Sequence, residues 1–434
     1  MIPRWKLPIR RMVFVAGEPS GDRLAAALAR ELKARLEVLQ PFPPQMLGAG
    51  GPQMRAAGIE LLAEITGHAA VGFTDVLRLY RRYRALLRRL TRLTRELAPD
   101  LLVLVDFTGF NRRLAAAVRK AFGPPSQPFQ APRPMIVQYV SPQVWASRPG
   151  RARLMARCVD LLLCLFAFEK GWYAARTPEL RVEWVGHPIC DAFPEAWRAL
   201  LEGRARPPWA RREPPDAPPL VLLLPGSRPQ EIRRHLPAML AAVSRAGRRR
   251  PLEARAAAPT PEILRLCEET AAAWGARIAG SSEEGFEAAL PGVSAPARFR
   301  LGGLAEMLPA AAAALASTGT VTLECALFAT PTVAMYKTSG LTYAIGRRIV
   351  TVPFMAMPNI LAGGEVFPEL IQAEATPENL AEALEGQLSR FERRGSEEWE
   401  KFLRTLRPAA EQLGGPGAAR RAADAILRRF GAAL

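Results

Sequence analysis

The chain has 434 residues and a formal net charge of +18, from 59 lysines and arginines against 41 acidic residues. Because 49% of the residues are hydrophobic, the composition excludes a disordered chain, and the length allows about two or three domains with cores of their own. The positive charge predicts attraction to anionic surfaces or phosphorylated ligands. Since no helix-turn-helix or RNA-binding signature accompanies this charge, we expect no nucleic-acid partner.

Cysteine usage and hydropathy indicate a cytoplasmic protein. The five cysteines are scattered and form no Cys-x-x-Cys pair, which predicts reduced, buried thiols rather than disulfides or a zinc site. The apolar run from Met12 to Ala16 is too short for a secretion signal. No run approaches the roughly 20 apolar residues of a membrane-spanning helix. We therefore expect a protein that is soluble or peripheral to a membrane.

The first predicted unit is a strand, a glycine loop and a helix. The strand covers residues 11–16, the loop runs from Gly17 to Asp22, and the helix covers Leu24 to Leu36. Such a unit is typical of nucleotide-binding folds, although the loop does not match Gly-x-Gly-x-x-Gly. The loop is therefore predicted to face a ligand. A second strand end with a glycine loop follows at residues 46–54.

A long amphipathic helix is predicted from Val76 to about Leu97. Its apolar residues recur at i, i+3 and i+4, and eight arginines surround them. The pattern leaves two interpretations open: a solvated basic face on a core helix, or a face that lies on anionic lipid headgroups. In the second interpretation, the membrane-contacting residues are Arg78, Arg81, Arg82, Arg88 and Arg89.

A carboxylate follows the next predicted strand. That strand covers residues 100–105 and ends at Asp106. Because ligands of open α/β sheets bind beyond the carboxyl ends of the strands, this side chain is predicted to point into a binding crevice. Further strands are predicted at residues 135–140, 159–166 and 182–185.

A segment rich in proline and arginine, residues 203–219, separates the two halves of the chain. Because it lacks hydrophobic periodicity, we predict an interdomain linker. An N-terminal Rossmann-like domain is then expected over residues 1–202, and a C-terminal one over residues 220–374. Thr376 and Pro377 form a natural helix start, and we expect the helices of residues 375–434 to pack back on an N-terminal domain.

The second half begins with a candidate phosphate-binding turn. The apolar strand from Val221 to Leu224 ends at a turn containing Gly226, Ser227 and Arg228, and a helix follows. Such a turn aims backbone N–H groups at one point that suits a phosphate, and the arginine adds a fork of charged donors. The alternative is an ordinary connection between a strand and a helix.

A second candidate turn lies at residues 317–320, between an apolar strand and another helix. Its N–H groups and threonine hydroxyls could hold a diphosphate, and Glu324, one turn into the helix, could accept hydrogen bonds from a ribose. A helix capped by Thr320 with a solvated Glu324 fits the same pattern equally well.

Taken in chain order, these motifs resemble those of one family. The matching stretches are residues 17–22, 48–54, 71–77, 139–146, 168–169, 185–188, 224–228, 319–324, 358–363 and 368–372, of which 139–146 is the most specific. The chain resembles the lipid-A-disaccharide synthases, bacterial glycosyltransferases of the GT-B fold. The resemblance implies an α/β protein in which two Rossmann-like domains face a central cleft.

The resemblance also implies an inverting transfer of 2,3-diacylglucosamine from its UDP derivative to the 6-hydroxyl of 2,3-diacylglucosamine 1-phosphate. Such a reaction needs a base for the acceptor hydroxyl, a role that we assign to Asp106. The implied UDP-binding residues are Gly226, Ser227, Arg228, Thr320, Glu324, Asn359, Glu369 and Gln372, and the implied acceptor-side residues are Glu18, Ser20, Asp22 and Asn111. No Asp-x-Asp pair of the kind that holds a divalent metal is present, so we expect neither a metal nor another cofactor.

One position departs from the family pattern. The family often has a second acidic residue three positions after the strand-end aspartate, where this chain has Gly109. Two alternatives therefore stay open: a catalytically silent homologue that binds lipid or UDP, and a soluble UDP-sugar epimerase or transferase of the same fold. Because both implied substrates carry acyl chains, the resemblance favours peripheral association of the basic helix with the anionic inner membrane. It leaves a homodimer open.

Overall fold

The structure is a computed structural model that describes residues 5–66, 75–123, 133–204, 217–293 and 295–432, with the side chains of residues 75–80 outside the description. Three predicted features lie outside the described residues: residues 71–74 of one family motif, the side chain of Arg78, and residues 205–216 of the expected linker. The chain forms two compact units. Unit 1 consists of Met1–Ala192 with Leu413–Leu434, and unit 2 of Phe193–Gln412.

Unit 1 is built on a seven-stranded parallel sheet. Its strands are β1 (Arg11–Ala16), β2 (Gln45–Gly50), β3 (Glu60–Glu64), β4 (Leu101–Val105), β5 (Met135–Tyr139), β6 (Leu161–Cys164) and β7 (Val182–Trp184). They lie in the order β3-β2-β1-β4-β5-β6-β7, with every pair parallel. The order reverses between β1 and β4, which makes the carboxyl ends of these two strands the expected place for a ligand.

The helices of unit 1 connect these strands. They are α1 (Pro19–Leu39), α2 (Pro52–Ala56), α3 (Asp75–Leu97), α4 (Thr108–Phe122), α5 (Val144–Ser147), α6 (Arg151–Cys158), α7 (Ala167–Ala174) and α8 (Ile189–Ala192). Helix α1 starts earlier than predicted because Pro19 is a favourable first helical residue. It buries Leu28, Leu32 and Leu36, a stripe spaced four residues apart.

Unit 2 contains an eight-stranded sheet in the order β10-β11-β12-β9-β8-β13-β14-β15. Its strands are β8 (Leu220–Leu224), β9 (Glu253–Ala258), β10 (Arg277–Ala279), β11 (Gly285–Ala289), β12 (Ala297–Leu301), β13 (Ala313–Ser317), β14 (Thr332–Tyr336) and β15 (Glu369–Ile371). The six strands from β12 to β15 are parallel, and β10 and β11 extend the sheet in antiparallel fashion. All five residues of β8 are buried, as expected for a strand covered on both faces.

The helices of unit 2 surround this sheet. They are α9 (Pro194–Leu201), α10 (Pro229–Gly247), α11 (Pro261–Trp274), α12 (Leu304–Met307), α13 (Thr320–Leu327), α14 (Gly340–Ile349), α15 (Met357–Ala362), α16 (Pro377–Glu392) and α17 (Glu397–Leu413), and a 3₁₀ turn spans Leu308–Ala310. Two Rossmann-like units with largely parallel sheets confirm the predicted α/β class. No helix among the described residues is long and apolar enough to cross a bilayer.

The two units divide the chain at positions other than those expected from the sequence. Helix α9 lies within the residues predicted for the N-terminal domain, 1–202, but it belongs to unit 2. There, Trp197 of this helix donates a hydrogen bond to Ala410 O at 3.0 Å. Helices α16 and α17 also belong to unit 2, where α16 packs on α10. Of residues 375–434, only those from Leu413 belong to unit 1. There, the last helix, α18 (Ala418–Arg429), packs on α1.

Candidate active site

Unit 2 contains a pocket of about 380 Å³ beyond the carboxyl ends of β8, β9, β12 and β13. Strands β8 and β13 are neighbours at the point where the strand order reverses, which is where open α/β sheets bind ligands. Five of the eight predicted UDP-binding residues line the pocket: Gly226, Ser227, Arg228, Thr320 and Glu324. Pro259, Gly302 and Leu304 also line it, although no sequence motif pointed to them.

The predicted phosphate turn is occupied by a carboxylate of its own chain. Oε2 of Glu231 accepts hydrogen bonds from the N–H of Ser227 at 3.1 Å and of Arg228 at 3.3 Å. Its Oε1 accepts one from Arg228 Nη1 at 3.2 Å. Gly226 has φ 118°, and a Cβ at this position would overlap Oε2 of Glu231, so the carboxylate can approach only a glycine. The N–H groups of Ser227 and Arg228, which the sequence predicts to face a phosphate, therefore face Glu231.

The second predicted turn leads directly into α13. The helix begins at Thr320 with Gly319 as its N-cap and without a side-chain cap. Thr322, rather than Thr320, donates its hydroxyl proton to Gly319 O at 2.7 Å. The interpretation in which Thr320 caps the helix is therefore wrong, because Thr320 is already the first helical residue. Its exposed side chain and the half-buried Glu324 both line the pocket.

The remaining predicted UDP-binding residues, Asn359, Glu369 and Gln372, are not among the residues that line this pocket. Asn359 is fully buried, and its amide donates to Glu369 Oε1 at 2.8 Å. The Glu369 carboxylate also accepts the N–H of Met355 at 2.8 Å and of Ala356 at 2.9 Å. Glu369 thus ties the segment before α15 to strand β15, and Asn359 ties α15 itself to Glu369.

Gln372 makes a similar connection at the other end of α14. Its Oε1 accepts the N–H of Thr338 at 2.6 Å, and its Nε2 donates to Thr338 O at 3.2 Å. Residues 338–355, which include α14, are consequently held to β15 and the residue following it at both ends, by Gln372 and by Glu369.

In unit 1, Asp106 lies at the carboxyl end of β4 in a strained backbone. Asp106 and Phe107 have φ values of 48° and 43°, and each left-handed conformation of a non-glycine residue costs about 1–2 kcal/mol. The surrounding hydrogen bonds hold this conformation, since Asp106 N–H donates to Tyr139 O at 2.7 Å and Gln138 Nε2 donates to Asp106 O at 3.2 Å. Strain of this kind is concentrated at functional sites.

The electrostatic surroundings of Asp106 suit a base. Burial raises the pKa of its carboxyl above the ordinary value of 3.8, while a backbone hydrogen bond from Phe107 acts in the opposite direction. The side chain lies beside the first turn of α1, because a Cβ at Gly21 would be 3.5 Å from Asp106 Cβ. Asp106 therefore stands where the strand order of unit 1 reverses, between β1 and β4.

Asn111 holds the backbone of Asp106 through hydrogen bonds. It is fully buried, and its Nδ2 donates to Asp106 O at 2.9 Å and to Val105 O at 3.1 Å. Its buried Oδ1 has no hydrogen-bond partner in the described chain. The contacts give Asn111 a positioning role at the backbone of Asp106.

Asp22 is also buried and engaged with the backbone. Its carboxylate accepts the N–H groups of Gly51 at 3.0 Å, Gln53 at 2.9 Å and Met54 at 3.0 Å. It thereby caps α2 from helix α1, a role typical of aspartate. Of the predicted acceptor-side residues, only Glu18 and Ser20 are exposed at the start of α1.

Comparison with known proteins decides the family. The family model described as lipid-A-disaccharide synthetase matches residues 12–252 and 302–413. A lipid-A-disaccharide synthase from Anaeromyxobacter dehalogenans (strain 2CP-C) is 35% identical over 421 residues, which cover 96% of this chain and 97% of that protein. One from Myxococcus xanthus (strain DK1622) is 36% identical with the same coverage. The chain belongs to the lipid-A-disaccharide synthase family.

Solved structures agree with this family in fold. MurG from Acinetobacter baumannii matches with a TM-score of 0.52 and 15% identity, over 97% of this chain and 100% of that one. The calicheamicin glycosyltransferase CalG4 matches with a TM-score of 0.52 and 15% identity, over 98% and 99% of the two chains. A UDP-GlcNAc 2-epimerase from Neisseria meningitidis has a TM-score of 0.53 at 10% identity, over 96% and 99%. The fold is therefore that of the GT-B glycosyltransferases.

The departure from the lipid-A-disaccharide synthase pattern at Gly109 lies in the first turn of α4. Gly109 is exposed, and a Cβ placed there would meet no atom within 4 Å apart from its chain neighbours and the backbone of its own helix. The position therefore has room for an acidic side chain. Within the described ranges, no group of three or more histidine, cysteine, aspartate or glutamate side chains could hold a metal ion.

One buried carboxyl group had no role assigned from the family motifs. Glu169 accepts a hydrogen bond from Trp145 Nε1 at 3.0 Å and from the N–H groups of Phe166 at 3.1 Å and Leu165 at 3.2 Å. Burial raises its pKa to about 7. The sequence signal for this role is the position of Glu169 in the first turn of α7, where a carboxylate caps the backbone.

Helix α3 carries the basic residues predicted to contact a membrane. Its Leu86, Leu87 and Leu97 pack against the core of unit 1. The arginines described on the opposite face are exposed, namely Arg81, Arg82, Arg88 and Arg89. The helix therefore combines a core-facing stripe with an exposed basic face, which both interpretations of its sequence require.

Proposed function

We propose that this chain transfers 2,3-diacylglucosamine from its UDP derivative to the 6-hydroxyl of 2,3-diacylglucosamine 1-phosphate, with inversion, to form the disaccharide of lipid A. The observation that carries the proposal is the identity to lipid-A-disaccharide synthases, 35% over 96% of this chain. The relatives cited above are named as synthases and span nearly their whole length in the comparison, which favours this activity over an epimerase.

The donor is assigned to unit 2. A pocket of about 380 Å³ falls within the range of about 300–1,000 Å³ that is usual for small-molecule sites. Because Glu231 already engages the N–H groups of Ser227 and Arg228, we assign the diphosphate to the N-terminus of α13 and to the guanidinium of Arg228. Glu324 lines the same pocket and is assigned to the ribose hydroxyls, for which a carboxylate is a suitable acceptor. Asn359, Glu369 and Gln372 support the neighbouring backbone.

The acceptor is assigned to unit 1, where Asp106 is the base. Its carboxylate takes the proton of the 6-hydroxyl as that oxygen forms the new bond to the anomeric carbon of the donor. The bond from this carbon to the diphosphate breaks, and UDP leaves as an anion, which positive charge and a helix N-terminus stabilise. A raised pKa makes Asp106 a stronger base than an exposed aspartate. Glu18 and Ser20 are assigned to the acceptor, and Asp22 and Asn111 to the support of this site.

Because both substrates carry acyl chains, we also propose that the protein works on the cytoplasmic face of the inner membrane as a peripheral protein. The exposed arginines of α3 are assigned to anionic headgroups. Near such a surface, each arginine contributes about 1 kcal/mol to the free energy of membrane binding. Whether the working species is a homodimer can be measured by light scattering alongside the assay below.

The test is an assay of the purified chain, treated with EDTA, with both substrates. We expect UDP and a disaccharide 1-phosphate to appear in equal amounts, and no UDP release when the acceptor is left out. Conversion of the UDP-sugar without an acceptor would identify an epimerase. UDP binding without turnover would identify a silent homologue.

A further inference from the structure

Unit 2 carries an exposed apolar surface that the proposed function does not use. Four of the eight large hydrophobic side chains that are most exposed among the described residues lie within fifteen positions of one another. They are Leu341, Ile345, Val350 and Met355, whose exposed fractions are 75%, 50%, 44% and 39%. We call these four residues, with Arg347 and Arg348, the α14 surface.

Helix α14 does not pack into the core of its own unit. None of its residues is buried, whereas the other helices of unit 2 that are longer than eight residues, α10, α11, α16 and α17, each bury a stripe of apolar side chains. Leu341, Ile345 and Arg348 recur at i, i+4 and i+7 and therefore share one face of the helix. Because burial of apolar surface is favourable, an apolar face that has no partner inside its own unit is expected to bind another partner that shields it from water.

The charge of this segment indicates what that partner is. Residues 338–355 contain two cations, Arg347 and Arg348, and no aspartate or glutamate, and the Glu369 carboxylate that reaches the end of this segment accepts the N–H groups of Met355 and Ala356. Arg347 and Arg348 are exposed in the last turn of α14, and neither forms an ion pair within the part of the chain that the structure describes. Apolar side chains flanked by arginines, without acidic residues, are typical of a helix that lies in the headgroup region of an anionic bilayer.

The segment is also held firmly enough to act as a docking element. Residues 338–355 are tied to β15 and its C-terminal end by Gln372 at Thr338, and by Glu369 at Met355 and Ala356. The ends of the segment are thus fixed while its middle stays exposed. This arrangement gives a purpose to two family-motif side chains that do not line the nucleotide pocket.

We propose that the α14 surface is a membrane-docking site of unit 2. Its four apolar side chains enter the boundary between the headgroups and the acyl chains, and Arg347 and Arg348 contact anionic headgroups. The proposal extends the peripheral association proposed above, which rests on α3 of unit 1, and it requires neither nucleotide nor turnover.

The test uses the full chain with one fluorescent label. Because all five native cysteines are buried, an environment-sensitive dye can be directed to Leu341→Cys, or to Val38→Cys as a control. Val38 is 86% exposed, on α1. With vesicles of phosphatidylglycerol and phosphatidylethanolamine, we expect a blue shift and quenching by doxyl-labelled lipid at position 341 only. Leu341→Ser with Ile345→Ser should weaken vesicle partitioning by about tenfold, and Val38→Ser should leave it unchanged.

Several outcomes would overturn the proposal. One is an unshifted label at position 341 on protein that sediments with the vesicles. Another is a blue shift without vesicles that grows with protein concentration, which would identify a second copy of the chain as the occupant. An equal response to uncharged phosphatidylcholine vesicles would also contradict it. In a variant with Arg81, Arg82, Arg88 and Arg89 of α3 replaced by glutamate, a blue shift that persists at position 341 would support this proposal independently of the one for α3.

Discussion

The carboxylate of Asp22 accepts the N–H of Gly51 at 3.0 Å, and so fixes a glycine loop from the neighbouring helix. We expect Asp22→Ala to destabilise unit 1 by about 2–4 kcal/mol, because three backbone N–H groups lose their acceptor. Hydrogen exchange should accelerate at residues 51–54, while UDP affinity stays unchanged. Ser20→Ala, on the exposed side of the same helix turn, is the control and should change the free energy of unfolding of unit 1 only slightly. A large rise in KM for the acceptor without faster exchange would instead make Asp22 a substrate contact.

For Asp106, we expect Asp106→Asn to lower kcat by about 10²- to 10⁴-fold, because the amide cannot accept the hydroxyl proton. Calorimetry should find UDP affinity within about twofold of the wild type, since the donor pocket lies in unit 2. Turnover close to that of the wild type would remove Asp106 from the role of base.

The pH dependence of the wild type provides an independent check on Asp106. The base must be ionised to act, and burial raises its pKa above 3.8. The acid limb of kcat/KM should therefore lie at a higher pH than an exposed aspartate would give, with activity lost as the pH falls through it. This limb should be absent from the residual activity of Asp106→Asn. An acid limb at the ordinary value would contradict the burial argument.

Much of the fold was predictable, because buried parallel strands are continuous apolar runs such as Leu101–Val105 and Leu220–Leu224. The site was predictable only as far as the positions of its loops. Glu231 stands in the first turn of α10, as Glu169 does in that of α7, and this position favours a carboxylate that caps the turn. The side-chain rotamer decides whether it does so, and the glycine and arginine of the turn equally suit a phosphate. The unit boundary after Ala192 depends on contacts such as that of Trp197 with Ala410, which are distant in the chain.

For Arg228, we expect Arg228→Ala to weaken UDP binding by about tenfold, the loss of one charge-assisted hydrogen bond. Uridine, which has no phosphate, should bind both proteins equally. The control is Arg233→Ala, an exposed arginine on the same helix that does not line the pocket. Equal losses for UDP and uridine would mean that the substitution disturbs the loop, whose Glu231 contact it also removes.

The membrane proposal for α3 predicts that replacing four exposed arginines with glutamate releases the protein from anionic vesicles. The four are Arg81, Arg82, Arg88 and Arg89. The change takes the net charge from +18 to +10, so the control must carry the same change at exposed arginines of unit 2. Suitable positions are Arg233, Arg249, Arg277 and Arg404. If both variants lose binding equally in a sedimentation assay, net charge rather than α3 is responsible.

The last prediction concerns the buried Glu169, whose pKa rises from 4.5 to about 7 in the folded protein. Because the pKa of Glu169 is higher in the folded than in the unfolded protein, the folded protein binds this proton more tightly. The resulting contribution to the free energy of unfolding is complete below about pH 4.5 and is lost as the pH rises through about 7. Between pH 4.5 and 7, the free energy of unfolding of unit 1 should therefore fall by up to about 3 kcal/mol from this group.

Glu169→Gln removes the titrating proton and should flatten this pH dependence, at the expense of one hydrogen bond to Trp145 or to the backbone. Hydrogen exchange at Leu165 and Phe166, measured at pH 5 and pH 8 and corrected for intrinsic rates, reports the opening free energy locally. Glu179→Gln is the control, because Glu179 is exposed in the same unit. An unchanged pH slope in Glu169→Gln would mean that Glu169 is already ionised at pH 5, held so by its hydrogen-bond donors.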